Sequence, residues 1–139
     1  DSAGRALECT KKMLGVKVFA MIKLYGDQLF SDYISITYDL GRRFAEIARN
    51  EKGFELAVQP DGNIVCFRYC PEGFKGDLNK LTASVRKKLL DDARFYVVQT
   101  SVAGKTFLRV TLMNPFTTET DIAVLFTLIK KLAQAEHKE

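Results

Sequence analysis

The sequence predicts an α+β domain: an antiparallel sheet of about four strands with helices on one face, preceded by a long first helix. Two observations support this prediction. Short strand-like segments occur in pairs joined by turn residues, and segments with helical periodicity flank and separate these pairs. The chain has 139 residues, 47% of them hydrophobic, which is enough for one domain with one core. Because no linker interrupts the chain, residues 1–139 are expected to form a single domain.

The first predicted helix extends from Ala6 to Leu24, and its apolar residues cover most of its circumference. A helix of this kind has to be buried on several sides. A body as small as residues 27–139 has difficulty burying it, so this helix indicates a packing partner outside the chain. Gly26 suits the end of this helix, and Asp27 suits the N-cap of the next one.

The second predicted helix is amphipathic and ends near Gly53. Its apolar face consists of residues at steps of three and four: Phe30, Tyr33, Thr37, Leu40, Phe44 and Ile47. Two strands follow, over residues 54–58 and 64–70, because β-favouring residues there are separated by the turn-forming residues 60–63.

The third helix is predicted to begin after Asp77, which is a suitable N-cap. One face of this helix is apolar and consists of Leu78, Leu81, Val85 and Leu89. A hairpin follows, with strands over residues 95–102 and 105–113. Its turn is predicted at Ala103 and Gly104, although alanine fits the first position of such a turn poorly.

The last predicted helix begins near Thr118 and Asp121, which have the spacing of a capping box. Asn114 and Pro115 precede it and end the last strand. The inner face of this helix consists of Ile122, Leu125, Ile129 and Leu132. The predicted order is therefore two helices, two strands, a helix, two strands and a helix.

Arg109 is the residue of most interest for binding. Side chains alternate along a strand, so Leu108 and Val110 form a core face, whereas Arg109 points the other way with Phe107 and Thr111. A guanidinium held by a rigid strand can bind a carboxylate through two parallel hydrogen bonds. The alternative is a solvent-facing arginine on a half-exposed sheet, and periodicity alone favours that alternative.

Other candidate residues have weaker support. Arg68 has the same strand setting but is interpreted as a structural or edge charge. His137 is the third residue from the end of the sequence, at an expected fraying helix end, and is not interpreted as a metal or acid–base site. Lys11, Lys12 and Lys17 lie on the first helix without a phosphate-binding loop nearby, and are interpreted as solvated or interface lysines rather than as Schiff-base lysines.

Composition argues against several classes of protein. The net charge of +4 comes from interspersed charges, which indicates solubility more than binding to nucleic acid or membranes. Three cysteines are too few for a disulfide scaffold. Cys66 and Cys70 would lie about 13 Å apart along a strand, too far for a disulfide, and their spacing does not fit a zinc site. With neither a secretory signal nor a membrane-spanning segment evident, we expect a cytoplasmic protein.

Several segments carry the pattern of a known family in the same order. They are Arg5-Ala6-Leu7-Glu8-Cys9-Thr10-Lys11-Lys12-Met13, Leu24-Tyr25-Gly26, Phe54-Glu55-Leu56, Val65-Cys66-Phe67-Arg68-Tyr69, Phe107-Leu108-Arg109-Val110, Asn114-Pro115 with Thr117, and Asp121-Ile122. Together they resemble the C-terminal part of the group II pyridoxal-phosphate-dependent decarboxylases. That family includes aromatic-amino-acid, glutamate, cysteine-sulfinate, histidine-related and 2,4-diaminobutyrate decarboxylases.

The resemblance implies the small domain of an aspartate-aminotransferase-like fold. Residues 1–26 would form the interdomain helix and residues 27–139 the body of the domain. Pyridoxal phosphate would be bound mainly by a large domain upstream, which carries the Schiff-base lysine and is absent from this sequence. The resemblance further implies a homodimer that removes the α-carboxylate of an amino acid, with neither nucleic acid, membrane nor metal as a partner.

For individual residues, the resemblance implies that Arg109 binds the substrate carboxylate. It assigns no catalytic and no cofactor-binding residue to this chain, so the fragment alone is expected to be inactive. The alternative is a stand-alone α+β module that binds a ligand, RNA or another protein. An RNA-binding sheet would need exposed aromatic residues for base stacking, and the candidates are Phe67, Tyr69, Phe95 and Phe107.

Overall fold

The computed structural model describes residues 14–136. Two compact units divide the chain, Asp1–Ser35 and Ile36–Glu139. Helix α1 (Leu14–Tyr25) belongs to the first unit, and helix α2 (Gln28–Asn50) contains the boundary. None of the residues of α1 is buried, although most of them are apolar. The predicted start of this helix at Ala6 lies outside the described residues.

The second unit contains a sheet and two further helices. In chain order its elements are β1 (Phe54–Leu56), β2 (Ile64–Tyr69), α3 (Leu78–Asp92), β3 (Val98–Val102), β4 (Lys105–Thr111) and α4 (Glu119–Glu136). The strand order is β1-β2-β4-β3, and every neighbouring pair is antiparallel. The predicted α+β class and the four-stranded antiparallel sheet are thus confirmed.

Each strand is shorter than predicted. The largest difference is at β3, which begins at Val98 rather than at residue 95. Val97 is buried but lies outside the strand ladder. Alternating apolar residues just before Val98 therefore indicate burial of their side chains. They do not indicate strand pairing, because ladder hydrogen bonds depend on a partner strand that the local sequence does not reveal.

The predicted turns and caps have a clear structural basis. Ala103 and Gly104 both have positive φ, 50° and 74°, as a primed hairpin turn requires. Asp77 caps α3, because its Oδ1 accepts a hydrogen bond from the backbone N–H of Asn79 at 2.8 Å. The capping box is present as well, since the Thr118 backbone N–H donates to Asp121 Oδ2 at 2.8 Å and the Asp121 N–H donates to Thr118 Oγ1 at 3.3 Å.

The hydrophobic core lies between one face of the sheet and the helices. Sheet residues such as Val65, Phe67 and Leu108 are buried against apolar residues of α3 and α4. Four phenylalanines form its centre: Phe44, Phe54, Phe67 and Phe126. Their edge-to-face and stacked contacts join α2, strands β1 and β2, and α4, and so pack the two helices against this face of the sheet.

Candidate functional site

The second face of the sheet carries the polar and charged side chains of interest. Val65 pairs with Val110 and Phe67 with Leu108 on the core side, so the alternating residues point away from the core. We call this second face the outer face. Its central residues are Glu55, Cys66, Arg68, Phe107 and Arg109. Strand alternation alone thus brings both candidate arginines to one surface.

Arg109 lies in β4 directly opposite Cys66 of β2. Its side chain is half-buried, and its Nε is buried without a hydrogen-bond partner among residues 14–136. Buried guanidinium N–H groups normally have an acceptor, because leaving one unpaired costs free energy. The predicted outward orientation of Arg109 agrees with its pairing, and its unpaired Nε can donate to a carboxylate.

Arg68 differs from Arg109 in being both buried and paired. It is 6% exposed, and its Nε donates to Glu55 Oε1 at 2.5 Å. Its guanidinium carbon lies 5.0 Å from the centre of the Phe107 ring, in a cation–π contact. Phe107 is itself 3% exposed, a burial on the outer face that alternation does not predict. Arg68 is therefore part of a buried polar cluster.

The two described cysteines border this cluster as free thiols. Burial raises the pKa of Cys66, and the positive charge of Arg109 acts on it in the opposite direction with a smaller effect. Burial also raises the pKa of Cys70, and Glu55 raises it further. Because the pKa values of Cys66 and Cys70 are raised, the protonated thiol is favoured at both positions. Neither residue has the depressed pKa of a catalytic cysteine.

A shallow depression of about 380 Å³ opens beside Cys66. Its wall also includes Tyr38, Val58 and Ile64, together with the β1–β2 turn. This volume lies within the range of roughly 300–1,000 Å³ that small-molecule sites have. Because Cys66 is the cross-strand neighbour of Arg109, this depression, whose wall also includes the polar residues Gln59, Asp61 and Asn63, adjoins the strand position of the arginine with the unpaired Nε.

The aromatic residues proposed for an RNA-binding surface do not form one. Phe67 and Phe107 are 0% and 3% exposed, and Tyr69 and Phe95 are half-buried. Bases stack only on aromatic rings that are open to solvent. These four residues instead serve in packing.

The candidate lysines and the histidine do not form a site in the described part of the chain. Lys17 is exposed on α1, whereas Lys11, Lys12 and His137 lie outside the described residues. A Schiff-base lysine needs a desolvated amine with a depressed pKa. Because Lys17 is exposed to solvent, it is unsuited to that role. Lys17 therefore does not fit the covalent attachment of pyridoxal phosphate.

Between residues 14 and 136, His, Cys, Asp and Glu side chains do not gather in groups of three or more that could hold a metal ion. Within that range, too, a helix with the length and apolarity needed to cross a bilayer is not found.

Comparison with curated proteins reveals amino-acid decarboxylases among the relatives of this chain. The chain is 30% identical over 134 residues to the aromatic-L-amino-acid decarboxylase of Catharanthus roseus, covering 93% of this chain and 26% of that protein. It is 27% identical over 133 residues to the L-2,4-diaminobutyrate decarboxylase of Acinetobacter baumannii, covering 95% and 26%. The chain thus spans about a quarter of the length of these relatives. No protein-family model matches it.

Solved structures give the same result. The glutamate decarboxylase domain of a Vibrio parahaemolyticus diaminobutyrate-pyruvate transaminase and L-2,4-diaminobutyrate decarboxylase matches with a TM-score of 0.79 and 29% identity, over 86% of this chain and 25% of that chain. Catharanthus roseus tryptophan decarboxylase, at 24% identity and a TM-score of 0.75, shares the fold over 86% of this chain and 26% of its own. The resemblance identified in the sequence is confirmed: this chain is homologous, over nearly its whole length, to a fragment of the group II pyridoxal-phosphate-dependent amino-acid decarboxylases.

Proposed function

We propose that this chain is the C-terminal small domain of an enzyme that removes the α-carboxylate of an amino acid. The observation that carries the proposal is the match to decarboxylases along 93% of the chain but only 26% of the relative. A domain of this size would act together with a larger domain of the same polypeptide. Pyridoxal phosphate, when bound, supplies an electron sink for the negative charge left after loss of the carboxylate.

The role proposed for this chain is to bind and orient the substrate. Arg109 supports this role, because its Nε is buried without a partner in the described part of the chain and it lies on a rigid central strand. A carboxylate would satisfy that donor and be held in a fixed plane. The depression beside Cys66 would lie next to the bound molecule.

The cofactor is proposed to be bound mainly by the large domain, which also carries the Schiff-base lysine. Support comes from α1, where Lys17 is exposed and unsuited to that role. This chain alone would then be inactive. Its proposed partners are its own large domain, a second subunit in a homodimer and the amino-acid substrate, and its proposed location is the cytoplasm.

The test uses the longest natural polypeptide that contains this segment, purified with pyridoxal phosphate. A visible absorption band that disappears on borohydride reduction is expected, together with carbon dioxide release from one member of an amino-acid panel. A colourless protein that releases no carbon dioxide would overturn the proposal. Salt-dependent RNA binding, or a stable complex with another protein, would then support the stand-alone module.

The role of Arg109 is tested in the same polypeptide by Arg109→Gln. We expect KM to rise roughly tenfold or more, since hydrogen bonds to charged groups contribute about 1.5–3 kcal/mol. Lys105→Gln is the matched control, because Lys105 is an exposed cation on the same strand and face. An unchanged KM in Arg109→Gln would exclude this role and leave the decarboxylase proposal standing.

A further inference from the structure

Glu55 lies within reach of both outer-face arginines but binds only one. It pairs with Arg68 across β1 and β2, and Arg68 Nη2 lies 2.5 Å from its Oε1. Of the strand residues on the outer face, Glu55 is the acidic one, whereas Arg68, Lys105 and Arg109 are basic. The Glu55 carboxylate therefore shares this face with three basic side chains. Whichever arginine it pairs with, the guanidinium of the other arginine remains unpaired.

The sheet geometry puts Glu55 within range of Arg109. Strands β1 and β4 lie on opposite sides of β2, so the backbones of β1 and β4 are about 10 Å apart. Along β2, the partner of Arg109 is Cys66 and the partner of Glu55 is Arg68. These two positions are two residues apart, which corresponds to an offset of roughly 7 Å along the strand direction. The two Cα atoms are thus about 12 Å apart. Extended glutamate and arginine side chains together can span such a distance.

Arg68 is suited to hold Glu55 away from Arg109. It occupies the strand between them, it is buried, and its guanidinium lies on the Phe107 ring. Phe107 in turn is two residues from Arg109 on the same face. The Arg68 side chain is 7% exposed and the Glu55 side chain 44% exposed, so the pair keeps one partner desolvated and its geometry restricted.

We infer that Arg68 is a positioning residue: by pairing with Glu55 beside Phe107, it keeps the guanidinium of Arg109 free to bind a carboxylate. The part that concerns substrate rests on the function proposed above. Removing Arg68 would leave Glu55 as an uncompensated carboxylate on a partly desolvated surface. The other guanidinium on the outer face of the described strands is that of Arg109, so we expect the freed carboxylate to pair with it. Loss of one arginine would then remove the function of the other.

The pairing is tested by measuring the rate at which phenylglyoxal, an arginine-specific reagent, modifies Arg109, mapped by peptide mass spectrometry. The reagent attacks the deprotonated guanidine, so an ion pair with a carboxylate slows it. In the natural polypeptide we expect Arg68→Met to slow modification of Arg109 by roughly threefold or more. The double variant Arg68→Met/Glu55→Gln is expected to restore the rate, and Glu55→Gln alone to leave it unchanged.

If Arg68→Met does not fold, as judged by near-ultraviolet circular dichroism, Arg68→Gln replaces it with the same expectations. An unslowed rate at Arg109, or a slowed rate that Glu55→Gln does not restore, would overturn the inference. The phenylglyoxal rates are measured without any enzymatic activity. They therefore test the pairing whether or not the protein decarboxylates an amino acid.

Kinetics then connect the pairing to substrate. We expect Arg68→Met to raise KM more than it lowers kcat, and the double variant to return KM toward the parent value. Should Arg109→Gln leave KM unchanged while the phenylglyoxal rates follow the prediction, the carboxylate-binding role of Arg109 fails but the pairing inference stands. A KM that rises in Arg68→Met and stays high in the double variant would contradict the positioning role.

Discussion

Gly41 of α2 faces Gly62 of the β1–β2 turn so closely that a Cβ atom on Gly41 would lie 2.2 Å from the Gly62 carbonyl oxygen. Real Cβ atoms essentially never come that close to a backbone oxygen. The contact brings helix and turn together beside Tyr38, whose ring would lie 3.3 Å from a Cβ atom on Gly62. This approach of two backbones sets one wall of the depression next to Cys66.

We expect Gly41→Ala to lower the free energy of unfolding by roughly 1–3 kcal/mol, the usual cost of overpacking, because backbone atoms have to move apart. Urea unfolding followed by circular dichroism measures the change. Gly15→Ala is the control, since nothing lies within 4 Å of a Cβ atom there. The control is expected to be neutral or slightly stabilising. Equal midpoints for both variants would contradict the close contact.

Phe126 occupies the centre of the aromatic cluster, stacked on Phe54 at a centroid distance of 4.4 Å and edge-on to Phe44 at 5.2 Å. Phe126→Ala is expected to cost about 3–5 kcal/mol, because it removes buried apolar surface and leaves a cavity. The matched control is Phe116→Ala, whose ring is 84% exposed. A thermal melt that shifts as little for Phe126→Ala as for Phe116→Ala would be inconsistent with this core.

Asp77 satisfies the exposed N–H groups at the start of α3. Asp77→Ala is expected to destabilise the domain by about 1 kcal/mol, whereas Asp77→Asn, which keeps an acceptor oxygen, should cost only a small part of that. Chemical denaturation of the two variants side by side measures the difference. If alanine and asparagine are equivalent at this position, the cap does not contribute to stability.

The Asp121 carboxylate is expected to titrate below its ordinary value. Hydrogen bonds from the backbone N–H and the hydroxyl of Thr118 lower the pKa of Asp121 from 3.8. A lowered pKa means that the stabilisation is present above the unfolded-state pKa and is lost as the pH falls through the folded-state value. NMR titration of the carboxyl carbon measures the midpoint. Thr118→Ala should move it upward and Thr120→Ala should not; a midpoint at or above 3.8 in the parent chain would contradict the capping box.

Cys66 and Cys70 are expected to react slowly with iodoacetamide in the folded chain at mildly alkaline pH. Burial raises the pKa of both thiols above 9.0, which reduces the thiolate fraction that reacts. Mass spectrometry of the alkylated peptides measures the rate, and the same chain unfolded in urea is the control. Rates that do not increase on unfolding would show that these thiols are not protected.

The order of the elements was predictable because their signals are local. Asp77 and the Thr118–Asp121 pair identify helix starts through hydrogen bonds within one turn, and Gly104 identifies the hairpin. Strand ends were predicted less well. At Phe95 and Val97, apolar character reflects contact with the core, whereas strand pairing begins only at Val98.

The orientation of Arg109 also followed from the sequence, since alternation along a strand has only two faces. The burial of Arg68 did not, because it depends on Glu55 from another strand and on Phe107 from a third. Nothing in the sequence around Arg68 distinguishes an arginine paired in this way from one that faces solvent.

The helices, the turns, the two faces of each strand and the resemblance to the decarboxylases follow from residue types and their spacing. The order β1-β2-β4-β3, the approach of Gly41 to Gly62 and the pairing of Arg68 rather than Arg109 are visible only in the folded domain. These features arise from contacts between residues far apart in the chain. Such contacts depend on how the whole core packs rather than on any local preference.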